Sequence, residues 1–139
     1  MPTADHATVY VLVVGAGPAG MGAAITLARA GHAVTVIDKA VFPRDKCCGD
    51  GLTTLALREL EALGFAPASV PDWQVVDGAV LRSPSGRQVT VPLPAGAGTY
   101  AAVAPRQQLD AALVALGEAA GVEIVQGHGF DGTLEQRAD

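Results

Sequence analysis

The chain has 139 residues, roughly the length of one domain. Its 14 acidic and 9 basic residues give a net charge of −5, which argues against a nucleic-acid surface because such a surface needs a basic patch. An apolar content of 50% excludes a mainly disordered chain, and the two cysteines are adjacent, which excludes a disulfide scaffold. We therefore expect a globular protein with reduced thiols.

The N-terminal region is apolar enough to be mistaken for a membrane segment. Residues 1–8 are expected to form a short disordered lead, and Arg29 is the only charged residue between Val9 and Ala30. However, glycines and a proline interrupt this stretch early, whereas a spanning helix needs about 20 predominantly apolar residues. The sequence thus predicts no transmembrane segment and a cytoplasmic protein, with peripheral membrane association left open.

The first elements follow the pattern strand, glycine turn, helix, strand, as in a βαβ unit. A continuous run of apolar, largely β-branched residues is typical of a strand buried on both faces of a parallel sheet. Proline suits the first position of a helix, and glycine suits the residue that closes one. The predicted elements are a buried strand at Val9–Val14, the turn Gly15–Gly20, a helix at Pro18–Ala30 closed by Gly31, and a strand at Ala33–Ile37 ending at Asp38.

The rest of the chain is predicted to mix helices with shorter strands. The leucines expected on the apolar face of the second helix are Leu52, Leu55, Leu60 and Leu63. The predicted elements are the loop Val41–Asp50, a helix at Leu52–Leu63, a hairpin of strands Gln74–Ser83 and Arg87–Pro92, the loop Pro94–Gly98, a short strand at Tyr100–Val103, a helix at Arg106–Ala120 and a strand at Val122–Val125. Residues after Gln126 are expected to have no place in the sheet. The pattern predicts an α/β fold whose mainly parallel sheet carries a β-hairpin insertion.

The glycine turn after the first strand has the spacing that a dinucleotide-binding fold needs. Gly15 would permit the tight exit from the strand, Gly17 would let a pyrophosphate approach the backbone, and Gly20 would let the helix pack on the strand. The helix that begins at Pro18 would direct free N–H groups, including that of Ala19, at the phosphates. An alternative remains open, in which the glycines serve only a tight junction between helix and strand.

Asp38 ends the second strand at the place where such folds bind a ribose. A carboxylate there can accept both hydroxyls of an adenosine ribose, and it would repel a 2′-phosphate. The sequence therefore favours FAD or NAD over NADP in a Rossmann-like domain, although the neighbouring Lys39 weakens this preference. No histidine has a partner at metal-ligand spacing, so no metal site is expected.

Three segments resemble known flavoproteins. The run from Val11 to Asp38, VLVVGAGPAGMGAAITLARAGHAVTVID, looks like the FAD-binding opening of the para-hydroxybenzoate hydroxylase-like superfamily. The segment Phe42–Leu52, FPRDKCCGDGL, resembles the geranylgeranyl reductase family, which carries Pro-Arg-x-Lys-x-Cys-Gly-(Gly/Asp)-Gly-Leu after the second strand. A third match, Val103–Arg106 followed by Leu109-Asp110, is similar to the helix start of that family.

The resemblance implies a set of FAD contacts beyond the glycine turn. Arg44 and Arg106 would contact FAD, and four residues would lie beside the isoalloxazine ring, namely Lys46, Cys48, Gly49 and Gly51. The alternatives are a solvated loop for Arg44 and Lys46, and a packing residue or a helix N-terminal thiol for Cys48. Cys48 is also the one candidate for a catalytic residue. The full predicted cofactor set is Gly15, Gly17, Pro18, Ala19, Gly20, Asp38, Lys39, Arg44, Lys46, Cys48, Gly49, Gly51 and Arg106.

The resemblance also predicts a function. Members of the family are several hundred residues long and carry a later Gly-Asp segment and a substrate-binding sheet, so residues 1–139 would be a single, incomplete FAD-binding domain. The family reaction is the reduction of isoprenoid carbon–carbon double bonds, with an isoprenoid small molecule as substrate. Two alternatives stay open: a non-catalytic dinucleotide-binding fragment, which is preferred for residues 1–139 alone, and an FAD-dependent aromatic monooxygenase or halogenase. The resemblance implies either a truncated or split reading frame or the need for a complementing chain.

Overall fold

The computed structural model describes residues 9–94 and 98–133. The chain divides into two compact units, the first formed by residues 1–44 and 110–139 and the second by residues 45–109. The predicted lead at residues 1–8, the centre of the loop Pro94–Gly98 and the end of the C-terminal tail lie outside the described residues.

Helices and strands alternate through most of the described chain. In chain order they are β1 (Tyr10–Val14), α1 (Pro18–Arg29), β2 (Ala33–Asp38), β3 (Gly51–Thr53), α2 (Thr54–Ala62), a 3-10 turn (Pro67–Ser69), β4 (Gln74–Val75), β5 (Gly78–Arg82), β6 (Gln88–Pro92), β7 (Ala101–Val103), α3 (Arg106–Ala119) and β8 (Glu123–Gln126).

The first unit contains a parallel sheet in the order β1-β2-β8. Its central strand β2 buries Val34 and Val36, while α1 contributes the fully buried Met21 and Ile25. Gly31 lies in the connection between α1 and β2. Its φ of +90° is the left-handed conformation expected of a glycine that ends a helix. The predicted βαβ unit is therefore present, and the Rossmann-like α/β fold is confirmed.

The expectation that β1 is buried on both faces is wrong. Tyr10 is 87% exposed, and Leu12 and Val14 are also exposed, whereas the intervening Val11 and Val13 are half-buried. Successive side chains of a strand point to opposite faces, so the described residues cover only one face of β1. The apolar run correctly predicted a strand, but it did not indicate which face the described residues would cover.

The second unit is built around the short strand β7, which pairs antiparallel with β3 on one side and β4 on the other. The central residue of β7, Ala102, is 1% exposed. A separate antiparallel hairpin joins β5 and β6, with Val80 opposite Thr90. This is the predicted hairpin insertion.

Two element boundaries in the second unit differ from the prediction. Helix α2 begins at Thr54 rather than Leu52, because Leu52 pairs with Ala102 in the sheet and the Oγ1 of Thr53 accepts the N–H of Ala56. The predicted strand Gln74–Ser83 is two strands, since β4 pairs with β7 and β5 with β6. Both differences come from pairing between distant segments, which local spacing does not report.

The apolar face predicted for α2 is also partly wrong. Leu60 is buried, but Leu55 is 67% exposed, and Leu52 lies in β3 rather than in the helix. The remaining elements agree with the prediction to within one or two residues, with β8 displaced one residue toward the C-terminus. Across residues 9–94 and 98–133, the helices are too short or too polar to cross a bilayer.

Candidate functional site

The three glycines after β1 differ in what their backbone and surroundings require. Gly15 has a φ of +104°, which favours glycine, and a Cβ at Gly20 would lie 1.9 Å from the carbonyl oxygen of Gly15. Gly17 has neither constraint: its φ is −75°, and a Cβ there would make only an ordinary contact, 3.8 Å from Nη2 of Arg44. Packing and conformation explain Gly15 and Gly20, but they leave Gly17 unexplained.

Helix α1 begins immediately after Gly17 with open hydrogen-bonding capacity. Its first residue is Pro18, which has no N–H, and its first backbone bond runs from the N–H of Met21 to the carbonyl of Gly17. The amides of Ala19 and Gly20 therefore precede the intrahelical ladder, and no described side chain caps this end. A helix end of this kind favours a negative group by about 0.3–1 kcal/mol when it is exposed.

The carboxylate of Asp38 lies beside this turn. Its Oδ2 accepts the backbone N–H of Ala16 at 2.7 Å, and its Oδ1 accepts the N–H of Ala40 at 2.8 Å. Each oxygen retains further acceptor capacity, which is what two ribose hydroxyls would use. The structure thus brings Asp38 to the glycine turn, and Lys39 beside it is exposed.

Arg44 reaches the same turn from the loop after β2. Its Nη2 is the atom nearest to a Cβ built at Gly17, and its Cζ lies 4.9 Å from the centroid of the Phe42 ring. Nη1 is 3.0 Å from Oδ2 of Asp110, but it is buried without a hydrogen bond to any described residue. Nη2 is thus the guanidinium nitrogen from which a ligand at Gly17 could accept a hydrogen bond.

In the second unit, Cys48 lies in an electropositive corner. The backbone N–H of Asp50, followed by the side chain of Arg106, lowers the pKa of the exposed Cys48 thiol below its usual value. Asp50 ties this loop to the start of α3, because its carbonyl accepts the N–H of Ala104 at 3.0 Å and its Oδ1 accepts the N–H of Arg106 at 3.2 Å. The corner suits a thiolate or another anion.

The other predicted residues of the second unit are exposed. A Cβ at Gly49 would meet no atom within 4 Å, and one at Gly51 would lie 3.7 Å from the nearest atom, the carbonyl oxygen of Gly49. Neither glycine is required by packing within the described residues, so a flat ligand could approach either backbone. Lys46 is also exposed. The predicted site residues therefore fall into one set per unit.

Sequence reasoning missed three residues that shape these sets. Asp110 contacts Arg44, Phe42 lies under the guanidinium, and Asp50 adopts a φ of +53° to hold the Cys48 corner. All three lie in the segments that resemble the reductase family, and Asp110 carries a further signal, because it is an acid on the otherwise small or apolar helical face of Leu113, Val114 and Gly117.

The fold and the geometry of the glycine turn together define a dinucleotide-binding α/β protein. The chain belongs to the family described as the FAD binding domain, whose profile matches residues 8–139. It is a flavin-dependent oxidoreductase or monooxygenase family, so the cofactor is FAD. The residues of the first unit fit that cofactor, because Gly17 leaves room for a phosphate and Nη2 of the Arg44 guanidinium lies beside it.

Two curated proteins and one solved structure are similar to this chain. It is 49% identical over 102 residues to a protein named menaquinone reductase from Mycolicibacterium smegmatis, covering 72% of this chain and 24% of that protein. It is 33% identical over 118 residues to the geranylgeranyl diphosphate reductase of Rhodobacter capsulatus, covering 83% of this chain and 27% of the relative. The structure of a geranylgeranyl bacteriochlorophyll reductase-like protein from Thermoplasma acidophilum superposes on this chain with a TM-score of 0.75 and 26% sequence identity. The superposition covers 93% of this chain and 32% of the Thermoplasma chain. The chain thus spans about a quarter to a third of these proteins.

Proposed function

We propose that this chain supplies the FAD-binding part of a flavin-dependent reductase that acts on a carbon–carbon double bond of an isoprenoid chain. The observation that carries the proposal is the 49% identity to a menaquinone reductase. Menaquinone carries an isoprenoid side chain, and geranylgeranyl diphosphate is itself an isoprenoid, so the two named relatives point to one substrate chemistry. The higher identity favours an isoprenoid quinone over a prenyl diphosphate.

A cavity in the second unit supports an apolar substrate. It has a volume of about 710 Å³ and lies between α2, the 3-10 turn and the start of β7. Ligand cavities typically measure about 300–1,000 Å³, with apolar and aromatic walls and few polar groups. The apolar side chains that line this cavity are Leu57, Leu60, Phe65, Pro67, Trp73 and Val75. An isoprenoid chain matches the size of the cavity and its apolar walls, and the lining also includes the charged residues Arg58 and Glu61.

Within the reaction, the residues of the first unit bind and orient the cofactor. The amides that follow Gly17 and the guanidinium of Arg44 hold the diphosphate, while the Asp38 carboxylate accepts the ribose hydroxyls. Bound FAD supplies the hydride chemistry of the family. Within the second unit, Arg106 would offer a fixed positive charge, and Gly49 and Gly51 would allow a flat ring to approach their backbone.

We further propose that residues 1–139 bind FAD but need additional protein for turnover, in the same polypeptide or in a partner. The supporting observation is that the chain spans 24% of the menaquinone reductase that it matches. We place the protein in the cytoplasm, with peripheral contact to the membrane where an isoprenoid quinone resides.

The test combines cofactor uptake with an anaerobic reoxidation assay. The purified chain is mixed with FAD, desalted, and examined for the visible absorbance of the bound flavin. The bound flavin is then reduced and mixed with menaquinone, and both the return of flavin absorbance and the mass of the lipid are followed. We expect bound FAD and no menaquinone-dependent reoxidation. A colourless protein would contradict the cofactor assignment, and menaquinone reduction by this chain alone would contradict the need for further protein.

A further inference from the structure

Asp110 is a buried acid that the proposed function does not use. It lies in the second turn of α3, and its side chain is 0% exposed, the only charged side chain so buried among the described residues. Burying a carboxylate is costly unless opposite charges or hydrogen bonds compensate it. Replacement of a whole buried ion pair by well-packed apolar residues is often neutral or stabilising, so the presence of the pair that Asp110 forms with Arg44 needs a reason other than stability.

The guanidinium of Arg44 lies against this acid. Its Nη1 is 3.0 Å from Oδ2 of Asp110, and the Arg44 side chain is 17% exposed. The Phe42 ring supports the guanidinium, with Cζ 4.9 Å from its centroid. Nη2 lies toward Gly17, at 3.8 Å from the position of a Cβ there. An acid and a ring thus hold a long, flexible side chain beside the glycine turn.

We propose that Asp110 is a positioning residue, which together with Phe42 fixes the Arg44 guanidinium in place to bind the diphosphate of the cofactor. The inference rests on the proposed contact between Arg44 and FAD. An arginine loses considerable rotamer freedom when it binds a ligand, and a guanidinium that is already immobilised avoids most of that cost. Its planar donors also match a phosphate in one orientation only, which makes orientation worth more than charge alone.

The direction in which Asp110→Asn changes the affinity for a diphosphate shows whether Arg44 needs to be positioned or acts by its charge alone. If Arg44 acted only as a positive charge, removing the negative charge of Asp110 would strengthen the attraction to a diphosphate. If Asp110 positions Arg44, removing it lets the guanidinium move and weakens binding. Asp110→Asn changes the charge at almost constant volume, so it distinguishes the two effects.

The experiment measures the affinity of the chain for ADP and for adenosine, which lacks the diphosphate. The variants are Asp110→Asn, Arg44→Gln and the double variant. We expect each single variant to weaken ADP binding roughly tenfold and the double variant to lose no more than either single one, because the two residues act as one unit. Adenosine affinity should be unchanged. Unchanged or tighter ADP binding by Asp110→Asn, additive losses, or an equal loss for adenosine would each overturn the inference.

A second variant tests the same inference if Asp110→Asn fails to fold. Phe42→Leu leaves both charges in place and removes the ring from beneath the guanidinium. Positioning predicts weaker ADP binding with unchanged adenosine binding, whereas unchanged ADP binding would overturn the inference. The proposed function fails separately: a wild-type chain that binds neither FAD nor ADP would contradict it, whatever the variants do.

Discussion

The backbone N–H of Ala16 donates a 2.7 Å hydrogen bond to Oδ2 of Asp38, which ties the acid at the end of β2 to the turn that follows β1. Parallel neighbouring strands bring their carboxyl ends to one edge of the sheet, and ligands of open α/β sheets bind at that edge. This hydrogen bond therefore links the ribose-binding carboxylate of the proposed site to the phosphate-binding turn before any cofactor binds.

Gly17→Val should abolish most FAD uptake without unfolding the protein. A Cβ at Gly17 meets no atom closer than 3.8 Å and the φ of Gly17 is −75°, so the backbone accepts a side chain there, whereas the added methyl groups would occupy the space of the phosphates. We expect FAD affinity to fall by roughly tenfold or more, measured by quenching of flavin fluorescence. The matched control is Ala23→Val on the exposed face of α1, which should bind FAD normally. Normal FAD affinity in Gly17→Val would mean that the turn serves only packing.

Asp38→Asn should weaken ADP binding and reduce discrimination against a 2′-phosphate. The amide has one acceptor oxygen for two backbone N–H donors that now bind two carboxylate oxygens, and it carries no charge to repel a phosphate. The measurement is the ratio of the affinities for ADP and for its 2′-phosphorylated form, which should move toward unity. Asp45→Asn, in the exposed loop, serves as the control. An unchanged ratio in Asp38→Asn would place the ribose elsewhere.

The Cys48 thiol should react as a thiolate at an unusually low pH. The Asp50 N–H and the Arg106 side chain lower its pKa, so alkylation by iodoacetamide in a Cys47→Ser background should have its midpoint below that of a free cysteine. Arg106→Gln removes a group that stabilises the charged form and should move this midpoint upward. The midpoint should still stay below that of a free cysteine, because the Asp50 N–H, which lowers the Cys48 pKa more than Arg106 does, remains in place. A midpoint that does not move in Arg106→Gln would contradict the assigned geometry.

The single tryptophan of the chain reports on the proposed isoprenoid cavity. Trp73 lines it, so binding of farnesol should change tryptophan fluorescence in a saturable way. Leu57→Asp places a charge on the cavity wall, so the farnesol concentration that gives half of the maximal fluorescence change should rise by roughly tenfold. Leu55→Asp, two residues earlier and 67% exposed, is the matched control and should respond as the wild type does. No saturable response in the wild-type chain would remove the cavity as support for an isoprenoid substrate.

The parts of the fold that local chemistry determines could be predicted from the sequence. The apolar runs of β1 and β2, Pro18 and Gly31 define the βαβ unit and place Asp38 at the end of a strand. Long-range contacts could not be predicted in the same way. The pairing of Leu52 with Ala102 makes the second helix begin two residues later than predicted, and it joins segments far apart in the chain.

The same limit applies to the site. The spacing of glycines indicates which residues can approach a phosphate, but it does not show which acid lies next to which base. Arg44 and Asp110 are brought together by the packing of α3 in the first unit, and Asp50 adopts a φ of +53° beside Cys48. Both observations depend on tertiary structure, which periodicity does not encode.

An NMR titration can test directly whether the glycine turn holds the diphosphate of FAD. The chain is labelled with ¹⁵N and titrated with FAD while its backbone amide signals are recorded. We predict saturable shifts at Ala16, Gly17, Ala19 and Gly20, with no change at Gly86 in the turn between β5 and β6. Shifts that saturate elsewhere and leave these four amides unchanged would show that the glycine turn does not bind the diphosphate.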